Sequence, residues 1–248
     1  MVIIGITGAI GHGKTTFGQA LQSLETHATH YDSSQIITDL AQAWLQTTSG
    51  LPEPDDIKAI NGWLRKVVPI INRTYGLNCN FSQIEIKVED IKSNPADYQK
   101  LFAFLKQPSV DFSIPGDTAK ETYRTLLQWM GGYFVKKIDS GIWYNYIASQ
   151  IRRDHEDGII LCTVGGLRYP KDAEILRNAG GIIISIERPN YGETDVNDIT
   201  ERERQNIKVD SHVINDGDLG DLQSCAQRLY DDIKNDQLKP QYQSSPIS

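Results

Sequence analysis

The segment Gly8-Ala9-Ile10-Gly11-His12-Gly13-Lys14-Thr15 combines residue types suited to holding a chain of phosphates, and it fits a G-x-x-x-x-G-K-[ST] spacing in full. Glycines let backbone N–H groups turn inward around phosphate oxygens. The start of a helix adds partial positive charge, and a lysine in this position reaches the β and γ phosphates. The expected donor is therefore ATP, held by Gly8, Ile10, Gly11, His12, Gly13, Lys14, Thr15 and Thr16, with Lys14 neutralising the transferred group. The Thr15 hydroxyl is the expected ligand of Mg²⁺. His12 lies inside the loop at a position that accepts many side chains pointing away from phosphate, which competes with a catalytic role.

A second candidate is Asp32, which follows His30-Tyr31 and precedes Ser33-Ser34. It is expected at the C-terminal end of a strand, as a substrate contact or a contact to Mg²⁺ and its water. Were the acceptor a hydroxyl, the same carboxylate would be the obvious general base. Arg188, Arg202 and Arg204 fall among polar residues between 187 and 206, a stretch that reads as a lid closing over the transferred phosphate.

These groups need a scaffold. Val2 to Thr7 is a short β-branched run, as in a strand buried on both faces, and the apolar spacing turns helical from Thr15. Gly158 to Val164, Ile182 to Ile186 and His212 to Ile214 read as further strands, with helices at 172–178 and 218–233. Alternation of buried strands and helices predicts an α/β fold: three layers, a mainly parallel central sheet, and ligands at the strand C-termini. Residues 1–46 and 117–238 are expected to form this core. Gly50-Leu51-Pro52-Glu53-Pro54, Pro69, Asn94-Pro95 and Pro108 punctuate residues 47–116, read as a helical insertion that binds the acceptor. Within it, 57–68 is expected to be one helix and 77–88 is ambiguous. Residues 239–248 are expected to be a disordered tail.

Composition narrows the partners. Among 248 residues, 25 Lys and Arg stand against 32 Asp and Glu, a net charge of −7. Such a chain has no overall field to collect a polyanion, so neither nucleic acid nor an anionic membrane is expected as main partner. Cys79, Cys162 and Cys225 are widely spaced and form no CxxC pair. No apolar run approaches the ~18 residues of a membrane span, and the chain reads as a cytoplasmic protein. A homodimer stays open.

Three further stretches carry a resemblance. Thr122 to Gly132, running on to Ile138-Asp139-Ser140-Gly141-Ile142-Trp143, resembles the LQ-x-x-G-T…R-x-x-D-x-x-x-W stretch of phage-type deoxynucleoside monophosphate kinases. Gly166-Leu167-Arg168-Tyr169-Pro170-Lys171-Asp172-Ala173 is similar to that family's D-x-R-F-x-x-E-A segment, followed by a Gly-Gly strand ending in Arg188-Pro189. Asp210 to Gly217 is similar to its D-x-x-I-x-N-D-G closing strand. The resemblance covers about half the chain and leaves out 47–116.

What it implies is an adenylate-kinase-like P-loop fold and phosphoryl transfer from ATP to a (deoxy)nucleoside monophosphate. By matched position, Arg124, Gln128, Gly131, Trp143, Arg168 and Asp172 would line the monophosphate pocket, with Arg168 acting in catalysis beside Lys14, Arg202 and Arg204. Guanidinium groups clamp phosphate at two points and an indole offers a stacking face. Core packing competes for Trp143, and a surface ion pair competes for Arg124 and Arg168. The chain departs from the family pattern at Gly166, where the family has Asp, at Gly132 in place of Thr and at Lys136 in place of Arg. Asp32 or Asp172 is expected to compensate for Gly166, unless the acceptor differs. The loop together with Tyr31-Asp32-Ser33 is also similar to dephospho-CoA kinase, in which the acceptor is a hydroxyl. A nucleotide-binding protein without transfer activity is the alternative from another class.

Overall fold

A computed structural model describes residues 1–107, 121–189, 191 and 199–240, the side chains of 199–201 excepted. In chain order the elements are β1 (Val2–Thr7), α1 (Lys14–Gln22), β2 (Ala28–Asp32), α2 (Ser33–Leu45), α3 (Ile57–Arg65), α4 (Val68–Tyr75), α5 (Phe81–Ile84), α6 (Val88–Ser93), α7 (Gln99–Leu105), α8 (Arg124–Lys137), α9 (Ile142–Glu156), β3 (Leu161–Leu167), α10 (Pro170–Asn178), β4 (Ile182–Glu187), α11 (Ile199–Gln205), β5 (Ser211–Ile214) and α12 (Leu219–Lys234). The chain separates into two compact units, Met1–Ser33 with Trp143–Ser248, and Ser34–Ile142. The expected tail lies outside the described residues from 241 on, as do Asn190 and 192–198 of the expected lid.

In the first unit the described strands form one five-stranded sheet in the order β2-β3-β1-β4-β5. Every pairing is parallel. Period-2 alternation sends Ile4 and Ile6 of β1 to one face, where they pack with Phe17 and Leu21 of α1 and with Leu222, Ala226 and Leu229 of α12. Gly5 points to the other face, where an added Cβ would meet Leu176 of α10 at 3.0 Å. Helices thus cover both faces, which explains why β1 is a continuous apolar run. After β1 the chain crosses toward β2, and after β4 it crosses toward β5. The two connections diverge between β1 and β4, and a crevice at such a point is where an open parallel sheet holds its ligand.

One buried ion pair ties the far side of this sheet. Asp210 accepts hydrogen bonds from Ile183 N at 2.7 Å and from Arg177 at 3.1 Å. Both side chains are buried.

In the second unit the helix expected over 57–68 is two helices, α3 and α4. Pro69 stands in the first turn of α4, where its missing N–H is harmless, whereas it could not have continued the preceding helix. The ambiguous 77–88 stretch holds the short α5, whose start is closed by a reciprocal Asn80–Gln83 capping box. Aromatic residues fill the interior. The Trp44 and Trp63 rings lie 3.9 Å apart, and Trp129 stacks on Tyr133 at 4.5 Å. The Trp44 indole donates to Trp63 O and the Tyr133 hydroxyl to Ile84 O.

Candidate functional site

The loop between β1 and α1 has a fold that only glycine supports at its turning points. Gly11 and Gly13 have φ of +81° and +94°, and Gly13 is the left-handed residue that opens α1 without any side-chain cap. An uncapped helix start leaves backbone N–H groups for an anion. Lys14 follows, and its ammonium donates to the carbonyls of Gly8 at 2.8 Å and Ala9 at 2.7 Å. The lysine is thereby held against the loop it serves. Thr15 and Thr16 are exposed at the head of α1, and Ile10, 71% exposed, stands on the outside of the loop.

Groups far away in sequence hold this loop. His12 Nδ1 accepts from the Arg188 backbone N–H at 3.2 Å, so its ring faces the end of β4, and its carbonyl accepts from the Asn215 side chain at 3.0 Å. The Tyr191 ring lies edge-on to His12, with ring centres 6.4 Å apart, and the Arg188 guanidinium sits 4.8 Å from the Tyr191 ring centre. A Cβ at Gly11 would come within 2.2 Å of that ring. The sequence places Asn215 only in a closing strand and gives no sign of Tyr191. The one signal for Asn215 was its place directly after β5, at the ligand-bearing edge.

Asp32 ends β2 as expected. It pairs in register with Gly165 of β3, while Thr7, at the end of β1, pairs with Leu167. Its backbone therefore stands at the same sheet edge as the loop, about 10 Å away across two strand spacings. β3 does not stop before Gly165 as the sequence suggested but runs through Gly165 and Gly166 to Leu167. Gly166 has φ of +79°, and a Cβ there would meet Ser33 Oγ at 2.8 Å and Asp32 Oδ1 at 3.3 Å. The Asp32 carboxylate occupies the space in front of that glycine.

Arg168 leaves the end of β3 exposed, at the same edge. Asp172, 4% exposed, turns its Oδ2 back to accept from the backbone N–H of Arg168 at 3.0 Å and of Tyr169 at 2.9 Å. Burial pushes its carboxyl up to about 6, against the lowering pull of those two hydrogen bonds and of the Arg168 charge. Its carboxylate caps α10 and shapes the turn bearing Arg168. Trp143, 5% exposed, is buried at the start of α9.

Arg124, Gln128 and Gly131 belong to the second unit, at i, i+4 and i+7 along one face of α8. Arg124 is exposed and forms an ion pair with Glu121. Gln128 is exposed, and Gly131 is partly buried beside Ile37, with an added Cβ 3.4 Å from that side chain. Arg202 is exposed and Arg204 partly buried, both in the last turn of α11.

The residues fit Mg²⁺ in one respect. No group of three or more His, Cys, Asp or Glu that could hold a metal gathers among the described residues. Thr15 offers one hard oxygen beside Lys14, which suits an ion that takes its other ligands from phosphate and water.

No helix among the described residues is long and apolar enough to cross a membrane. No curated protein matches the chain. A family model described as deoxynucleotide monophosphate kinase matches residues 2–225, running also through 47–116, where the sequence had shown no likeness. A glycine loop that leaves the central strand of a parallel sheet, carries a lysine over its carbonyls and opens a helix is suited to holding phosphates, and with that match over most of its length the chain is a member of the deoxynucleotide monophosphate kinase family.

Proposed function

We propose that the protein transfers the terminal phosphoryl group of ATP, in the presence of Mg²⁺, to a deoxynucleoside monophosphate, giving ADP and the deoxynucleoside diphosphate. The observation that carries this reading is the loop itself: Gly11 and Gly13 in left-handed conformation, an uncapped α1 and Lys14 folded over the loop, in a chain matched to the family over residues 2–225. An oxygen of the acceptor phosphate attacks the γ-phosphorus, and the bond from that phosphorus to the β,γ-bridging oxygen breaks as ADP leaves. The acceptor is already ionised at pH 7, so no strong base is needed, and positioning with charge neutralisation supplies the acceleration.

On this reading the loop amides from Gly8 to Thr16 hold the donor phosphates, and Lys14 follows the charge as it moves to the bridging oxygen. In the first unit Arg168 binds the acceptor phosphate; in the second, Arg124, Gln128 and Gly131 on one face of α8 are the acceptor-side groups that the family resemblance implies. Asp32 contacts the acceptor, and Arg202 and Arg204 neutralise the transferred group. Bound at Thr15, Mg²⁺ would neutralise the charge on the β and γ oxygens.

The test is a transfer assay across deoxynucleoside monophosphates, ribonucleoside monophosphates and dephospho-CoA. ATP-dependent formation of a deoxynucleoside diphosphate is the expected result. Tight ATP binding with no stimulated turnover by any acceptor would overturn it in favour of a nucleotide-binding protein. Turnover with dephospho-CoA alone would make Asp32 a base acting on a hydroxyl.

A further inference from the structure

At the end of β3, beside the end of β2, stands a buried side chain that the reaction scheme above leaves unused. Tyr144, in the first turn of α9, is fully enclosed, and its hydroxyl donates to the carbonyl of Gly165 at 3.2 Å. Ser33, which opens α2 directly after β2, stands beside the same phenol. Ser33 is also the group that a Cβ at Gly166 would strike at 2.8 Å, so phenol, serine and the Gly165–Gly166 backbone form one close-packed knot.

Functional groups leave this knot on both sides. Asp32 immediately precedes Ser33, with its carboxylate oxygens 3.2 Å and 3.3 Å from the Cβ positions at Gly165 and Gly166. Arg168 lies two residues beyond Gly166, on a turn pinned by Asp172. The separation between an acid on one strand and a guanidinium on the next depends on how the two strand ends are held. Backbone pairing ends at Asp32 and Gly165. Beyond that point the phenol takes over.

We propose that Tyr144 is a positioning residue for the acceptor side of the site: by holding Gly165 O where the Gly165–Gly166 backbone packs against Asp32 and Ser33, it sets the spacing between the Asp32 carboxylate and Arg168. This rests on the acceptor reading given above. The phenol is suited to the task because it stays neutral, since burial holds its ionisation well above the ordinary tyrosine value. Removing the hydroxyl keeps the ring and its packing but frees the end of β3. A 1 Å misplacement of groups that orient a substrate is costly to transfer.

The experiment is steady-state transfer by Tyr144→Phe, with urea unfolding recorded alongside. The acceptor KM should rise roughly threefold to tenfold, the range for one lost buried hydrogen bond, while the ATP KM stays unchanged. Ser33→Ala removes the hydroxyl packed against Gly166 and should give the same split, which guards against a tyrosine variant that fails to fold. In an Asp32→Asn background, Tyr144→Phe should add less than about twofold, because it acts through that carboxylate. Equal rises in both KM values, fully additive effects, or lost stability with unchanged kinetics would each overturn the proposal. If the wild-type chain phosphorylates no monophosphate, the acceptor reading falls and the role of Tyr144 falls with it. A wild type that turns over with Tyr144→Phe unchanged removes the positioning role alone.

Discussion

The side-chain amide of Asn215 donates to the carbonyl of His12 at 3.0 Å, fastening the loop between β1 and α1 to the end of β5 across 203 residues of sequence. The same nitrogen would lie 2.6 Å from a Cβ at Gly13, so the amide and the glycine are packed against each other. Asn215→Ala should loosen the loop, raising the ATP KM roughly threefold to tenfold with little change for the acceptor. Gly13→Ala should be worse, because it adds a clash to a left-handed backbone. Initial-rate kinetics with each substrate varied in turn would separate the two sides.

Lys14→Ala should abolish useful transfer while leaving the fold intact. Its ammonium donates to the loop carbonyls of Gly8 and Ala9, and its side chain is not part of the apolar core. A charge contact that develops in the transition state is worth several kcal/mol, so kcat should fall by roughly 10²-fold or more. Near-normal turnover by a folded variant would remove the donor-site assignment.

Arg168→Lys should be harmful although the charge is kept. An ammonium cannot reproduce the planar two-point contact of a guanidinium with phosphate. The acceptor KM should rise about tenfold or more and the ATP KM should hold. Equal weakening for both substrates would move Arg168 to the donor side, and unchanged kinetics would return it to the surface.

Asp172 should impose a pH dependence on stability. Its carboxyl is raised from 3.8 to about 6 in the folded chain, so between those values the folded state binds more protons than the unfolded state. Stability should therefore fall as pH rises from about 4 to above 6, by on the order of 3 kcal/mol. Asn at this position still offers an oxygen to Arg168 N and Tyr169 N but does not titrate. Urea midpoints for Asp172→Asn should be flatter across that window than those of the wild type. Parallel curves would mean that Asp172 titrates at an ordinary value.

How much of this was legible beforehand depended on distance along the chain. Glycines at 8, 11 and 13 with Lys14 are a local instruction, because backbone conformation at each depends on the absence of its own side chain. The apolar run of β1 and the helical spacing after it are equally local, and they placed the loop between strand and helix before any contact was known. Pro69 was readable as a break, but its place was not: the helix expected to reach Val68 ends at Arg65, and Pro69 stands in the first turn of α4. The continuation of β3 through Gly165 and Gly166 was not readable. Two glycines read as a stop, and they stay in the strand because Leu167 pairs with Thr7 beyond them and the space a side chain would need is filled by Asp32 and Ser33.

Asn215 and Tyr191 on the loop, and Tyr144 at the end of β3, had no signal of comparable strength. Each meets a partner between 20 and about 200 residues away, and those meetings depend on the sheet order β2-β3-β1-β4-β5. Asp172 shows the difference within one residue. The family resemblance marks it for the acceptor pocket, but its carboxylate turns inward to two backbone N–H groups. A buried carboxylate is stable only where such donors meet it: its own capping turn supplies them, and the packing of α10 against β1 and β4 accounts for the burial.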